Sequence, residues 1–335
     1  MKNLRFGLVA GLALLLNSAC SKEPEPGPPL VYDPVPYEID IPSWFPPMTI
    51  PPGNPTTVQG VALGRRLYYD PILHPAGATS CAGCHFQERS FSSGPAILPH
   101  VNLGWNRNFL WNGRVQGTLE DIMYFEVAEF FKTDISRLQN HPEYPRLFYE
   151  AFGIRQISHE LAAKALAQWM RTLISANSPR DQSIWGVPRI FLPDEAIDGA
   201  IIFNTERGDC FHCHGGIFFT DNQFHNIGLD AEPAEPGYEA VSGNPADRGK
   251  FKTPTLRNIA LTAPYMHDGR FKTLEEVIDF YSEGVKKSPN IDPLMKWAHL
   301  GGLHLSAKEK SDLLAFLHTL TDSSFIRDPR FKSPF

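Results

Sequence analysis

Two hexapeptides, CAGCHF at 81–86 and CFHCHG at 210–215, constrain this chain more than any other feature. Each contains Cys-x-x-Cys-His, the pattern of c-type haem attachment. Two thiols add across the two vinyl groups of a haem, so they must lie a short turn apart. The His that follows then presents its imidazole to the iron as proximal ligand. Cys81, Cys84 and His85 are assigned to one haem, and Cys210, Cys213 and His214 to a second. A four-cysteine zinc ribbon would need its pairs far closer than the 125 residues that separate Cys84 from Cys210. A redox dithiol has no use for the trailing His.

The fifth cysteine, Cys20, closes the opening stretch MKNLRFGLVAGLALLLNSAC. Lys2 and Arg5 supply a charged start, Phe6 to Leu16 an apolar run, and NSA small residues before the Cys. This reads as a secretory signal peptide, too short to span a bilayer as a helix. A Cys at that point predicts lipoprotein processing, with Cys20 acylated at the new N-terminus; ordinary cleavage nearby is the alternative. Lipidation would leave no unpaired thiol in an exported protein. Export to the periplasm also suits haems attached outside the bacterial cytoplasm.

Residues 21–55 are dense in proline and predict an extended tether, whose later part, with Trp44 and Phe45, can wrap onto the body. The remainder is long enough for two domains of ordinary size. With a net charge of −6 and no basic stripe, nothing points to nucleic acid. Helical spacing dominates. SHELAAKALAQWMRTLIS places Leu161, Ala165, Leu166, Trp169, Met170 and Leu173 on one face, with Ser158 as a cap. LSAKEKSDLLAFLHTL opens on a capping box, Ser306 to Glu309. The expected fold is mostly α.

An internal repeat sets the architecture. NLGWNRNFLWNGR (102–114) parallels NIALTAPYMHDGR (258–270), and each runs on into Thr-Leu-Glu-acid, at 118–121 and 273–276. Upstream, LGRRLYYD parallels GAIIFN. The reading is two homologous haem domains in tandem, 56–189 and 190–335. Trp111 in the first copy matches His267 in the second, and Glu126 matches Tyr281.

These segments together resemble the bacterial di-haem cytochrome c peroxidase family, including its MauG-type members. The likeness covers nearly all of the mature chain: LGRRLYYDPIL…SCAGCH, FLWNGR, GDCFHCHGG, FHNIGLD and RGKFKTPTLRNIALTAPYMHDGRFKTLEEVIDFY. It implies two tandem cytochrome c-like helical domains, an N-terminal haem where hydrogen peroxide reacts, a C-terminal haem that relays electrons, and Trp111 between them. The second haem's other axial ligand falls on Tyr281, as in MauG-type members, where the peroxidases use Met; Met266 is the rival. A phenolate is a hard anionic donor that stabilises ferric iron. His267, Arg257 and Arg270 are candidates to hold haem propionates or to order the haem interface. A calcium ion is expected at the backbone carbonyls of Thr262 and Pro264.

The chain departs from the peroxidase pattern after the first haem. Trp111 comes only 26 positions after His85, and the loop whose His blocks the resting peroxidatic iron is missing. His100 lies nearby but aligns with a packing position, and His74 is a second stray candidate. The acid–base group above the iron is Glu126, by the repeat, or Glu129, by its spacing before SRLQNHPEY. The first expectation is therefore a lipid-anchored oxidoreductase reducing hydrogen peroxide with electrons from a small cytochrome or cupredoxin. The second is a MauG-like enzyme oxidising residues of a partner protein through a bis-ferryl state. The third is a non-catalytic electron-transfer cytochrome.

Overall fold

A computed structural model describes residues 30–94 and 97–335; the signal peptide and Cys20 lie outside them. The chain is mostly helical. Its first half contains α1 (Val58–Tyr69), α2 (Leu119–Tyr124), α3 (Ile135–Gln139), α4 (Tyr144–Phe152), α5 (His159–Met170) and α6 (Pro179–Trp185). The second contains α7 (Asp194–Phe203), α8 (Phe211–His214), α9 (Glu239–Ser242), α10 (Leu274–Asp279) and α11 (Ala307–His318). Two antiparallel strand pairs complete it: β1 (Asn108–Phe109) with β2 (Val115–Gln116), and β3 (Phe224–His225) with β4 (Phe251–Lys252).

Capping chemistry starts the helices where the sequence signals it. Thr57 accepts from the Gly60 N–H, Ser158 from Leu161, and Ser306 with Glu309 forms a reciprocal box. Each half is then built on one close helix crossing. In the first, α1 lies on α5, and a Cβ at Gly64 would stand 1.9 Å from the Ala165 carbonyl oxygen. In the second, α7 lies on α11, and a Cβ at Gly199 would stand 1.9 Å from that of Asp312. Any larger residue at either glycine would push the helices apart.

Two apolar cores follow. The first gathers Leu67, Phe91, Tyr144, Phe148, Leu166 and Trp169; the second gathers Phe203, Phe219, Leu313, Phe316 and Leu320. Burying each such side chain is worth about 1.5–3 kcal/mol. The division is not a clean cut near residue 190, because Phe325 and Phe331 return from the C-terminus into the first core. The proline-rich segment is also no free tether from residue 30 onward. Phe45 is buried, Trp44 stacks on Trp185 at 3.9 Å, and the Trp105 Nε1–H bonds the Pro46 carbonyl at 2.9 Å.

The repeat is visible in the backbone. Asn102, Leu110 and Gly113 have φ of 54°, 63° and 69°; Asn258, Met266 and Gly269 have 61°, 68° and 69°. Left-handed Leu and Met are uncommon, so the coincidence marks one supersecondary unit used twice. Phe109 pairs Val115 in one copy, and Tyr265 pairs Phe271 in the other.

Buried polar groups close the seam between halves. Arg257, 1% exposed, makes a two-pronged ion pair with Asp181 at 2.8 and 3.0 Å and donates its Nε–H to the Ile217 carbonyl. The Asn258 amide donates to Ser90 and Ser175, and its oxygen accepts from the Asp322 N–H. Arg89 reaches the Ala263 carbonyl.

Candidate functional site

The two Cys-x-x-Cys-His segments fold alike. His85 donates its Nδ1–H to the Phe91 carbonyl at 2.7 Å, and His214 donates to the Phe219 carbonyl at 3.1 Å. A carbonyl can only accept, so each Nε2 is left unprotonated, the tautomer a metal ligand needs. Both acceptor residues sit in left-handed backbone, φ 56° and 52°, which turns their carbonyls back onto the imidazoles. Burial lowers the pKa of both histidines, that of His85 to about 4, so both are neutral at pH 7. Burial pushes the Cys81 and Cys210 thiols up to about 12. Such thiols suit neither zinc thiolates nor a redox dithiol.

The second cradle is an apolar cavity of about 310 Å³. Cys210, Cys213 and His214 face Tyr281 across its lining, with Leu256, Ile278 and Leu313 among the apolar walls. Trp111 closes it from the first half; its backbone carbonyl accepts from the Lys252 N–H at 2.8 Å, and its Nε1–H is buried with no partner. A flat apolar macrocycle with a few polar edges fits this lining, and an orphaned indole N–H at the seam fits an acceptor on that edge.

Glu126 and Tyr281 occupy equivalent places. α2 and α10 both begin on a Thr capping box, Thr118 and Thr273, and both continue into a π-helical turn, Phe125–Phe130 and Phe280–Gly284. Such turns widen the helix and re-aim one side chain, and they recur at functional sites. Each residue is the second of its π turn. Burial raises the Glu126 pKa to about 7, and its charge is felt by the Cys81 thiol. Burial also raises the Tyr281 pKa, with Cys213 and Cys210 adding to it. Glu129, by contrast, is 56% exposed and pairs with Arg114 at 3.4 Å.

The other expected residues fall as follows. His267 and Arg270 line the second cavity; His267 stacks on Phe251 at 3.6 Å, while Arg270 is held by Asp230 and Asp268, each at 2.7 Å. Arg257 lies outside the cavity lining, and its Nε–H and one N–H of each Nη are taken by Ile217 and Asp181; it orders the seam instead. Thr262 and Pro264 also line the cavity, but the carbonyl between them, that of Ala263, is taken by the Arg89 guanidinium. Met266, in left-handed backbone, lines the same cavity as Tyr281 and packs against the same small apolar cluster. His74 is a turn residue whose Nδ1 accepts from the Ala76 N–H at 3.2 Å. His100 stacks on His85 at 3.5 Å and is hydrogen-bonded to the Tyr68 hydroxyl.

Sequence reasoning passed over several residues. The Phe91 and Phe219 carbonyls orient the two histidines, and their shared place five or six residues after each motif was the available signal. His225 is clasped by Asp221 and Asp292, each at 2.7 Å, and Lys252 is buried in the cavity wall; neither left a signal in spacing.

The fold and paired cradles define a helical protein that carries two c-type haems, one per half. Comparison with known proteins narrows the class. Residues 58–188 match the family model described as di-haem cytochrome c peroxidase. The methylamine utilization protein MauG of Methylorubrum extorquens is 36% identical, over 81% of this chain and 80% of its own length. The cytochrome-c peroxidase IdrP2 of Denitromonas iodatirespirans is 30% identical, over 81% and 84%. Among solved structures, a MauG-like protein associated with microbial copper homeostasis aligns at a TM-score of 0.81 and 32% identity, covering 89% of this chain and 99% of that one. The chain belongs to the di-haem cytochrome c peroxidase and MauG family, and is a haem c-containing oxidoreductase.

Proposed function

We propose that this protein uses hydrogen peroxide at its first haem and, in the manner of MauG-type enzymes, spends the two oxidising equivalents on residues of a partner protein. The observation that carries the reading is the pair of matching π turns, which offer a carboxyl to the first haem and a phenol to the second. When bound, the first haem supplies the iron that cleaves the peroxide O–O bond, and the second shares the oxidising equivalents. Peroxide takes up two electrons and two protons to leave two waters. The electrons come from the partner.

The chain's own groups do the rest. Glu126, with its pKa raised to about 7 by burial, takes the proton from the attacking peroxide oxygen and returns it to the departing one. His85 and His214 would hold the irons, each imidazole fixed by its carbonyl. Tyr281 offers an oxygen that gives up its proton only to a strong local positive charge, as a ferric iron provides. That anionic ligand favours the higher iron charge, which suits storage better than a high-potential inlet. Trp111 stands between the halves, tied to β4.

A second reading, a conventional peroxidase fed by a small cytochrome or cupredoxin, is favoured by the likeness to cytochrome-c peroxidase IdrP2. Stopped-flow mixing of the diferric protein with peroxide separates the two. Reaction without prior reduction is expected. Reaction only after half-reduction selects the conventional peroxidase, and no reaction in either state leaves an electron-transfer cytochrome. The proposal carries no calcium, because Arg89 already brings positive charge to the carbonyl between Thr262 and Pro264; chelators should leave the reaction unchanged. It does include export and anchoring through Cys20, which Cys20→Ser tests by moving the protein out of the membrane fraction. Among the described residues no helix is long and apolar enough to cross a membrane.

A further inference from the structure

The second cavity has three long cationic side chains in its lining: Lys252, Arg270 and Lys296. Two are already neutralised near the mouth. Arg270 pairs with Asp230 and Asp268, and Lys296 with Glu206 and Asp209. Lys252 differs from both. It is 4% exposed, and its ammonium donates to one group, the Thr253 carbonyl, at a long 3.3 Å. No carboxylate of the described residues lies within ion-pair distance of it. The carboxylate whose charge reaches it is Asp221, which is already engaged by the Nε2–H of His225 at 2.7 Å. Burial pulls the Lys252 pKa down to about 8.

An ammonium buried without an anion is strongly unfavourable, and the strain is relieved either by loss of the proton or by the arrival of a counter-charge. The position says which one. Lys252 ends β4, its backbone N–H is bonded to the Trp111 carbonyl at 2.8 Å, and its side chain shares the cavity lining with Trp111. The unpartnered Trp111 Nε1–H is in the same wall. Two buried donors without an anionic partner, the Lys252 ammonium and the Trp111 indole N–H, therefore belong to residues of one cavity lining. A haem is an apolar ring with two carboxylates on one edge, and it brings the acceptor that both donors lack.

We propose that Lys252 is the ionic partner of a carboxylate of the second haem and, through it, a positioning residue that sets that haem's reduction potential. The inference rests on the second haem occupying this cavity, and it holds whatever the electron donor or substrate proves to be. An ammonium against the carboxylate cancels its charge near the iron. Without it, an uncompensated anion stabilises the ferric state, and the potential falls.

The test is spectroelectrochemical titration of the two-haem protein, after a pyridine haemochrome assay has counted the haems. A count of one, with the second motif unloaded, would overturn the proposal together with the two-haem reading it rests on, whereas two haems with an unchanged potential would overturn it alone. With two haems present, Lys252→Met is expected to favour oxidation of the second haem about tenfold, or about 59 mV for a one-electron couple. Lys252→Arg, which keeps the charge, should restore most of that change, while the first haem stays put in both. An unchanged second potential in Lys252→Met overturns the proposal. So does a Lys252→Arg potential displaced as far as that of Lys252→Met, because packing would then be the cause. If Lys252→Met fails to load the second haem, Lys252→Arg decides: recovered loading supports the ion pair, and equal failure overturns it.

Discussion

The two halves of this molecule share a frame and differ in what they put into it. Both bring a helix pair together over a glycine, both turn a phenylalanine carbonyl onto the proximal histidine, and both run a Thr-capped helix into a π turn. The second residue of that turn is Glu126 in one and Tyr281 in the other. A carboxyl with a pKa near 7 can both take and release a proton near neutrality. A buried phenol is the reverse: it holds its proton too tightly for acid–base work near neutrality, yet becomes a strong anionic ligand once a cation displaces that proton. The duplicated scaffold thus separates two tasks, proton transfer and charge storage, by changing one residue at one aimed position.

The largest effect should come from breaking the first half's version. Glu126→Gln removes the proton carrier while keeping size, and is expected to slow reaction with peroxide by about 10²–10⁴-fold. The sign of the pH dependence follows from the raised pKa. The base form is needed to take the peroxide proton, so the wild-type rate should fall about tenfold per unit below pH 7 and level off above it. Glu126→Gln should flatten that profile. A variant that keeps both rate and profile would remove Glu126 from the mechanism.

Next comes the second half. Tyr281→Phe keeps the ring and deletes the oxygen, so the second haem's resting spectrum should change. The oxidised product formed with peroxide should decay about tenfold or more faster, a loss typical of a missing metal-site group. Tyr281→Met should raise the second potential and push behaviour towards a peroxidase that needs half-reduction. If Tyr281→Phe leaves the spectrum unchanged, Met266, which lines the same cavity, becomes the residue to replace.

A third break addresses the seam rather than either cradle. Arg257 and Asp181 are both almost fully buried, and Asp181→Ala would strand the guanidinium without a counter-charge. The expected loss is about 3–5 kcal/mol of stability, read by denaturant unfolding, with both haems still attached. Arg257→Met with Asp181→Leu should recover much of it. A single variant as stable as wild type would show that the seam does not depend on this pair.

Much of this comparison was legible in the sequence, for a physical reason. Covalent haem attachment needs a fixed local pattern, and capping boxes and helical spacing are local too; Ser158 and Ser306 cap where the spacing put them, and the repeat anchors Thr118 and Thr273 prove to be caps as well. Duplication made the Glu126–Tyr281 equivalence readable by counting from the Thr anchors. What stayed hidden was set by contacts between distant segments. The spacing of Arg257 gave no hint that Asp181 would claim it, nor that of Arg89 that it would reach Ala263. The wrapping of Trp44 and Phe45 onto the body was expected, but the partners that hold them, Trp185 and Trp105, were not. The π turns themselves have no sequence signature, although they decide which of two neighbouring glutamates faces inward.

That choice gives the smallest expected effect and the sharpest control. Glu126 and Glu129 are three residues apart, a spacing that on a regular helix would leave both on one face. The π turn changes this: Glu126 is drawn into the buried site near Cys81, while Glu129 is left mostly exposed against Arg114. An exposed pair of this kind contributes about 0–1 kcal/mol and is screened by salt. Glu129→Gln should therefore change the peroxide rate by less than about twofold and leave its fall below pH 7 in place, the scale on which a surface charge acts. Stopped-flow rates from pH 5.5 to 8.5 for both glutamine variants decide the matter, since the two substitutions are chemically identical and differ only in where the π turn has put them. A flattened profile in Glu129→Gln, with Glu126→Gln unaffected, would reverse the assignment and detach the π turn from the catalytic argument.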